Sequence, residues 1–394
     1  MRILFLISAA MIISTSLFSQ KTSEPVLNTA EQMLEERESK IKIGGYGQID
    51  YNQRISGDTK YNGKLDVHRM VLFFGYQFSK NLHFVSEVEF EHVNELYVEQ
   101  AFVDYRLNDY LSFRGGLMLV PMGIVNEFHE PTLFNGVERP SIDNLIVPTT
   151  WREIGAGIGG RIASASIKYQ LYLFNGFYGY DGTSKLSGAA GFRSARQKGI
   201  NTNMTSPDLS LKIDYYGVQG LNIGLSGYFG NTESKLFNNL DKNSDAARIT
   251  ADSSVVKIAM AGIDFRYTKG GFQSRGQLIY ASLGNSEAYN QFNDNKPKLG
   301  SAMTGWYLEA GYDLLNGKKM GLVPFVRYER YNTHASVSGS LAKNDAFRAD
   351  EFFAGIGYKP AEGVVFKIDY QYKKTRQAGS AGENYINAGI GINF

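Results

Sequence analysis

Charged side chains are set into this chain at alternate positions. Lys168 and Gln170 fall between Ile167, Tyr169 and Leu171, Lys212 and Asp214 between Leu211, Ile213 and Tyr215, and Lys367 and Asp369 between Phe366, Ile368 and Tyr370. Alternate residues of a strand share a face, so each segment turns its charges to one side and its apolar groups to the other. The polar faces collected in this way carry Arg69, Arg106, Arg114, Arg161, Lys168, Arg275 and Arg327 beside Glu87, Glu89 and Glu153. Further segments add Lys212, Arg266, Lys367, Asp104, Asp214, Asp264, Glu309 and Glu329. Fixed charges of both signs around a wet narrowing would set up a transverse field that orders water and favours small polar solutes over apolar ones.

Bond-making chemistry lacks its parts. No serine stands in a recognisable nucleophile setting, and His68, His83, His92, His129 and His334 form no metal-ligand spacing. Glu87, Glu89 and Glu91 share a face with His83 and could hold a divalent ion, but with nothing paired to them they read as a water-facing stripe. Gly155-Ala156-Gly157-Ile158-Gly159-Gly160 fits the dinucleotide glycine pattern, yet it lies inside an alternating strand rather than between a strand and a helix. Asp241-Lys242-Asn243-Ser244-Asp245 lacks the glycine and glutamate of a calcium loop and reads as a solvated surface loop. A formal charge of +2 offers nucleic acid no electrostatic foothold. No catalytic residue, metal or cofactor is expected.

The elements that must position the charges are strands. Period-two alternation marks sixteen of them, near 41–53, 64–78, 81–91, 96–107, 110–121, 151–163, 165–176, 208–217, 220–230, 255–268, 271–283, 302–315, 320–331, 349–359, 363–374 and 383–394. Tight connectors such as Asn108-Asp109 and Lys269-Gly270-Gly271 alternate with long ones at 122–150, 177–207, 231–254, 284–301 and 332–348. An even strand number with short turns on one rim and long loops on the other predicts an all-β, transmembrane antiparallel barrel. The last strand keeps Ile386, Ala388, Ile390, Ile392 and Phe394 on one face. It resembles the closing strand of Gram-negative outer-membrane barrels, and that resemblance implies that Phe394 is the signal read by the barrel assembly machinery.

The other end agrees. Met1-Arg2, an apolar run from Ile3 to Ile13 and the small residues Ser14-Thr15-Ser16 predict a signal peptide over 1–19, too short for a spanning helix. Val26, Leu27, Ala30, Met33 and Leu34 at helical spacing predict a short periplasmic helical segment within 20–40. The barrel proper is expected over 41–394, with outer-membrane lipid around it. The absence of cysteine excludes disulfides and a lipid-modified N-terminus.

One region is more specific. Leu96-Tyr97-Val98-Glu99-Gln100-Ala101, Gly116-Leu117, Pro121-Met122-Gly123, Phe134, Glu138-Arg139-Pro140 and Trp151-Arg152-Glu153-Ile154-Gly155 together resemble the phosphate-selective porin O/P family of Gram-negative outer membranes. The resemblance is densest over 96–162. It implies a water-filled sixteen-stranded barrel passing small, often anionic solutes, usually as a homotrimer. It also implies that the loop after strand five folds into the lumen as the constriction. That loop holds Pro121, Pro131, Pro140 and Pro148, four of the chain's nine prolines, so it is stiff. Its candidate constriction residues are Glu127, His129, Glu130, Glu138, Arg139 and Asp143.

Two departures from the family matter. Phosphate needs several cationic donors in turn, whereas this loop sets Glu127, Glu130, Glu138 and Asp143 against Arg139 alone, with Arg152 just beyond it. The loop after strand three, His92 to Glu95, is short where general porins latch onto a neighbouring subunit. The reading is therefore an outer-membrane porin for passive diffusion of small hydrophilic solutes or ions, weakly selective and without a tight phosphate site. A barrel enzyme or an adhesin acting through the loops 177–207 and 231–254 is the alternative.

Overall fold

The computed structural model describes residues 24–35, 39–293, 298–316 and 318–394. Sixteen antiparallel strands close on themselves. They are β1 (Ile41–Arg54), β2 (Lys64–Gln77), β3 (Leu82–Glu91), β4 (Glu95–Asn108), β5 (Leu111–Leu119), β6 (Arg152–Ile162), β7 (Ile167–Phe174) and β8 (Asp208–Val218). They continue with β9 (Leu221–Asn231), β10 (Lys257–Lys269), β11 (Phe272–Gly284), β12 (Ala302–Tyr312), β13 (Gly321–Ser336), β14 (Arg348–Ala361), β15 (Val364–Thr375) and β16 (Glu383–Asn393). Each strand pairs with its neighbour in sequence, and β16 pairs with β1 from Tyr46 opposite Asn393 to Arg54 opposite Tyr385. Phe394 and Gly45 exchange backbone hydrogen bonds of 2.9 Å at the end of that seam. Closure leaves no unpaired strand edge, the condition for a sheet to cross lipid.

The faces are inverted relative to a soluble protein. Ile43, Leu72, Phe74, Leu173, Ile213, Leu278, Leu308, Phe366 and Ile368 are exposed on the outside, while Arg69, Glu87, Glu89, Lys212, Glu309 and Arg327 are buried within. Such an apolar outer band on a closed barrel is a membrane-spanning surface, and the protein is an outer-membrane barrel. Tight turns gather on the rim where β1 starts and β16 ends; Gly270 and Gly363 there take φ of +58° and +79°, which the turn geometry reserves for glycine. The long loops gather on the other rim.

Three features depart from the strand pattern. β13 runs to Ser336 rather than 331, because Thr333 and His334 find partners in the loops beside it, on Gly188 and Lys298. The segment after Asp241 is not a bare loop. Ser244 caps a helix over Asp245–Ser253, its Oγ accepting from the Ala247 N–H at 3.2 Å. A short ribbon pairs Tyr178–Tyr180 with Glu233–Ser234 above the barrel. Within 20–40 the helix α1 spans Thr29–Glu35. The expected signal peptide lies outside the described residues.

Candidate functional site in the barrel lumen

The chain between β5 and β6, residues 120–151, includes one helical turn, α2 (Ile142–Leu145). Its partners are inward-facing residues of strands far around the wall. The Ile124 N–H donates to Gln277 on β11 at 2.7 Å, Val137 N–H to Asp369 on β15 at 2.7 Å, and Ile142 N–H to Glu329 on β13 at 2.5 Å. Loop carbonyls accept from strand cations: Gly123 from Lys212 at 2.6 Å, Phe134 from Lys367 at 2.6 Å, Leu133 from Arg275 at 2.8 Å and Glu138 from Arg327 at 3.1 Å. Phe128 adds its ring face to the Arg266 guanidinium at 3.8 Å. A loop bonded from β8 to β15 lies across the inside of the barrel. The sequence supports this by supplying carboxylates, cations and the Gln277 amide to groups of the irregular backbone that would otherwise be buried and unpaired.

The six loop residues expected at a constriction do not converge on one point. Glu127 pairs with Lys212 at 2.6 Å and accepts from Gln170 at 2.7 Å. Glu130 accepts from the hydroxyl and N–H of Thr29 on α1. Glu138 accepts from Asn52 on β1 at 2.9 Å, and Asp143 accepts from Gln277 at 2.9 Å. Arg139 donates to the His129 carbonyl at 2.8 Å. His129 bridges the Asn126 carbonyl at 3.1 Å and Glu87 at 3.2 Å. Burial pushes the Asp143 carboxyl up to about 7. Burial works against a charged His129, but the carboxylates of Glu87, Glu130 and Glu99 together outweigh it and hold the imidazole above its usual value.

The strand charges sit on the inner face and pair locally. Arg69 meets Glu89 at 3.2 Å, Arg114 meets Asp104 at 3.0 Å, and Glu309 takes both Arg275 at 2.6 Å and Arg327 at 3.5 Å. Lys168 meets Glu31 at 2.5 Å, and Arg106 and Arg161 meet Glu35 at 2.8 and 3.0 Å. Glu153 accepts from Asn175 at 2.7 Å. The expectation of opposed signs producing a transverse field is therefore corrected. Acid and base stand as neighbours on both sides of the inner face, and adjacent opposite charges largely cancel at a distance.

Several residues escaped the sequence reading. Glu99 on β4 is turned inward by a bulge opposite Glu87–Val88 and pairs with Arg152 at 2.7 Å. Arg193 and Arg196, from the loop between β7 and β8, reach the carbonyl of Thr149 at 3.1 and 2.6 Å. Among the described residues neither they nor Arg139 make an ion pair, so the three guanidiniums keep their positive field. The run Arg193-Ser194-Ala195-Arg196-Gln197-Lys198 was the available signal. Glu87, Glu99 and His129 bring one ligand atom each within 4.8 Å. Tyr46 and Gln100 engage both Glu87 oxygens and Arg152 engages Oε1 of Glu99, while Glu99 Oε2 lies 3.8 Å from His129 Nε2 without a hydrogen bond, so the group is an ion-pair network.

No family model matches the chain. The outer-membrane channel DcaP of Acinetobacter baumannii superposes with a TM-score of 0.59 at 12% identity, over 90% of this chain and 97% of that one. OmpF of Salmonella typhi superposes with a TM-score of 0.61 at 12% identity, with the same shares of the two chains covered. At such identity the likeness is one of fold. In sequence, an uncharacterized protein of Aquifex aeolicus (strain VF5) is 34% identical over 342 residues, 84% of this chain and 75% of that protein. Identity of that extent shows common descent, and the chain belongs to the same family as this Aquifex aeolicus protein.

Proposed function

We propose that this barrel is a porin for passive diffusion of small hydrophilic solutes and that it favours anions. The observation that carries the preference is the group Arg139, Arg193 and Arg196, three guanidiniums tied to backbone carbonyls and free of carboxylate partners among the described residues. The charges of the 120–151 loop alone predict weak selectivity, but Glu127 is neutralised by Lys212 and Glu130 is turned toward α1. Cations from the next loop then tip the balance. In a narrow, partly desolvated zone such charges act more strongly than those along a wide wall, where salt screens beyond about 8 Å. Phosphate and other small oxyanions suit planar guanidinium donors, which agrees with the family resemblance over 96–162. Short turns face the periplasm in this reading, and Phe394 serves the assembly machinery.

Reconstitution into planar bilayers tests it. Stable conductance steps are expected, with a reversal potential in a KCl gradient of the sign for chloride preference. A barrel that inserts and conducts nothing refutes the pore, and a cation-preferring one refutes the role given to the arginines.

A further inference from the structure

The rim of short turns holds a feature that diffusion alone does not need. Residues 24–35 carry Glu24, Glu31 and Glu35 and no basic side chain. Asn28 and Glu31 cap the start of α1 reciprocally, Oδ1 of Asn28 accepting from Glu31 N–H at 2.9 Å and Glu31 Oε2 accepting from Asn28 N–H at 3.3 Å. Ala30, Met33 and Leu34 are buried against the inner wall, where Gly44 and Gly75 make room for the Met33 thioether. A Cβ on Gly44 would lie 3.2 Å from Met33 Cε. Lys42 on β1 donates to the Met33 carbonyl. Thr29 ties the helix start to Glu130 of the inward loop at 2.6 Å.

The acidic side of this segment faces cations of four strands. Glu31 pairs with Lys168 in a nearly dry contact, and Glu35 spans Arg106 and Arg161. With Arg114 these groups line a cavity of about 280 Å³ that also receives Glu24. Arg106, Arg161 and Lys168 thus hold two carboxylates at one site and sit beside a third. Asp104 of β4 and Asp109 of the following turn also line the cavity, and Asp104 holds Arg114 at 3.0 Å, so the carboxylates on Arg106, Arg161 and Lys168 are the ones that come from the segment joined to β1.

We propose that Arg106, Arg161 and Lys168 form a binding site for small di- and tricarboxylate solutes, and that residues 24–35 are a tethered competitor occupying it. The proposal rests on the porin reading and names its solute class and its regulation. A tethered ligand acts at an effective concentration in the millimolar range. A solute therefore displaces the helix only when its own carboxylates reproduce the same contacts. Glu35 is a third exposed and its pairs are weak singly, whereas the buried Glu31–Lys168 pair is the firmer hold.

Succinate is the probe, and calorimetric titration of the detergent-solubilised barrel reads the site without requiring conduction. Deleting residues 24–35 is expected to tighten succinate binding by about tenfold, by removing the intramolecular competitor. The Glu31→Gln/Glu35→Gln variant, which keeps the helix, is expected to move the same way. Adding Arg161→Gln and Lys168→Gln to the deletion should abolish binding. In bilayers the deletion should raise conductance about twofold by clearing the lumen. Equal succinate affinity in the wild type and both variants, or binding that survives loss of Arg161 and Lys168, overturns the proposal. So does a double glutamine variant that loses thermal stability without any change in affinity. A deletion variant that binds succinate more tightly yet never conducts upholds this site and refutes the pore.

Discussion

The two halves of the inner wall use the same residue types for different ends. On β8 to β15, Lys212, Arg275, Arg327, Lys367, Glu329 and Asp369 reach into the lumen and bond the backbone of the 120–151 loop. On β2 to β7, Arg69, Arg106, Arg114, Arg152, Arg161 and Lys168 meet chiefly carboxylates, two of which belong to α1. The difference follows from what is offered. A loop crossing a lumen carries N–H and C=O groups that water no longer serves, and wall charges are the strongest partners available for them. Charges engaged in that way and also paired with a carboxylate, as Lys212, Arg275 and Arg327 are, add little to the field that a solute meets. Those held by carboxylate side chains exchange partners at low cost where the pair is partly exposed, as at Arg106 and Arg161. Net charge along the lumen is thus a poor guide to selectivity until the anchoring charges are set aside.

The largest effect should come from the anchoring half. Lys212→Met removes the donor to Gly123 and leaves Glu127 buried without its cation, so a loss of about 3–5 kcal/mol is expected in urea unfolding from detergent. A loss below 1 kcal/mol would show that the loop is not held as described. Strand β15 then tests the faces. Ile368→Lys faces lipid and should cost about 2–4 kcal/mol, while Gln371→Lys on the inner side should be nearly silent. Equal penalties would mean that the register is wrong.

The other half should respond in transport rather than stability. Arg106→Gln breaks a partly exposed pair and should change unfolding by about 0–1 kcal/mol. Arg193→Gln with Arg196→Gln loses the bonds to Thr149 and should cost some stability, but its main effect should be to move the reversal potential toward cations; an unmoved potential would remove the two arginines from the pathway. The smallest effect concerns pH. Glu87, with Glu130 and Glu99, raises the His129 imidazole above its unfolded value, so the stability from that cluster is complete below about pH 6.5 and fades as pH rises through the raised value. The wild-type midpoint should drift downward between neutral and alkaline pH relative to His129→Gln, and parallel profiles would assign the contact no weight.

Strand number, strand faces and closure were legible because they are local. Period-two alternation with a lipid-facing side leaves little freedom of register, and the sixteen segments emerge with most ends shifted by only a few residues. Errors fell where alternation lapses. Asn332, Thr333 and His334 extend β13 only because neighbouring loops receive them, and Ser244 starts a helix that no strand pattern announces. The inward loop was legible through its prolines and its family likeness. Its partners were not, since Val137 and Asp369 stand 232 residues apart and only closure brings them together.

By itself the sequence determined a closed sixteen-strand barrel with charge inside and apolar groups outside, because both follow from the spacing of neighbouring residues. Tertiary structure alone decided what each charge does. Lys212 and Lys168 occupy equivalent alternating positions on β8 and β7, yet one is fixed to a loop carbonyl and the other to a glutamate of α1. The physical reason is that a buried charge takes its role from the nearest group able to solvate it. That group comes from distant chain, carried into the lumen by the loop and the N-terminal segment.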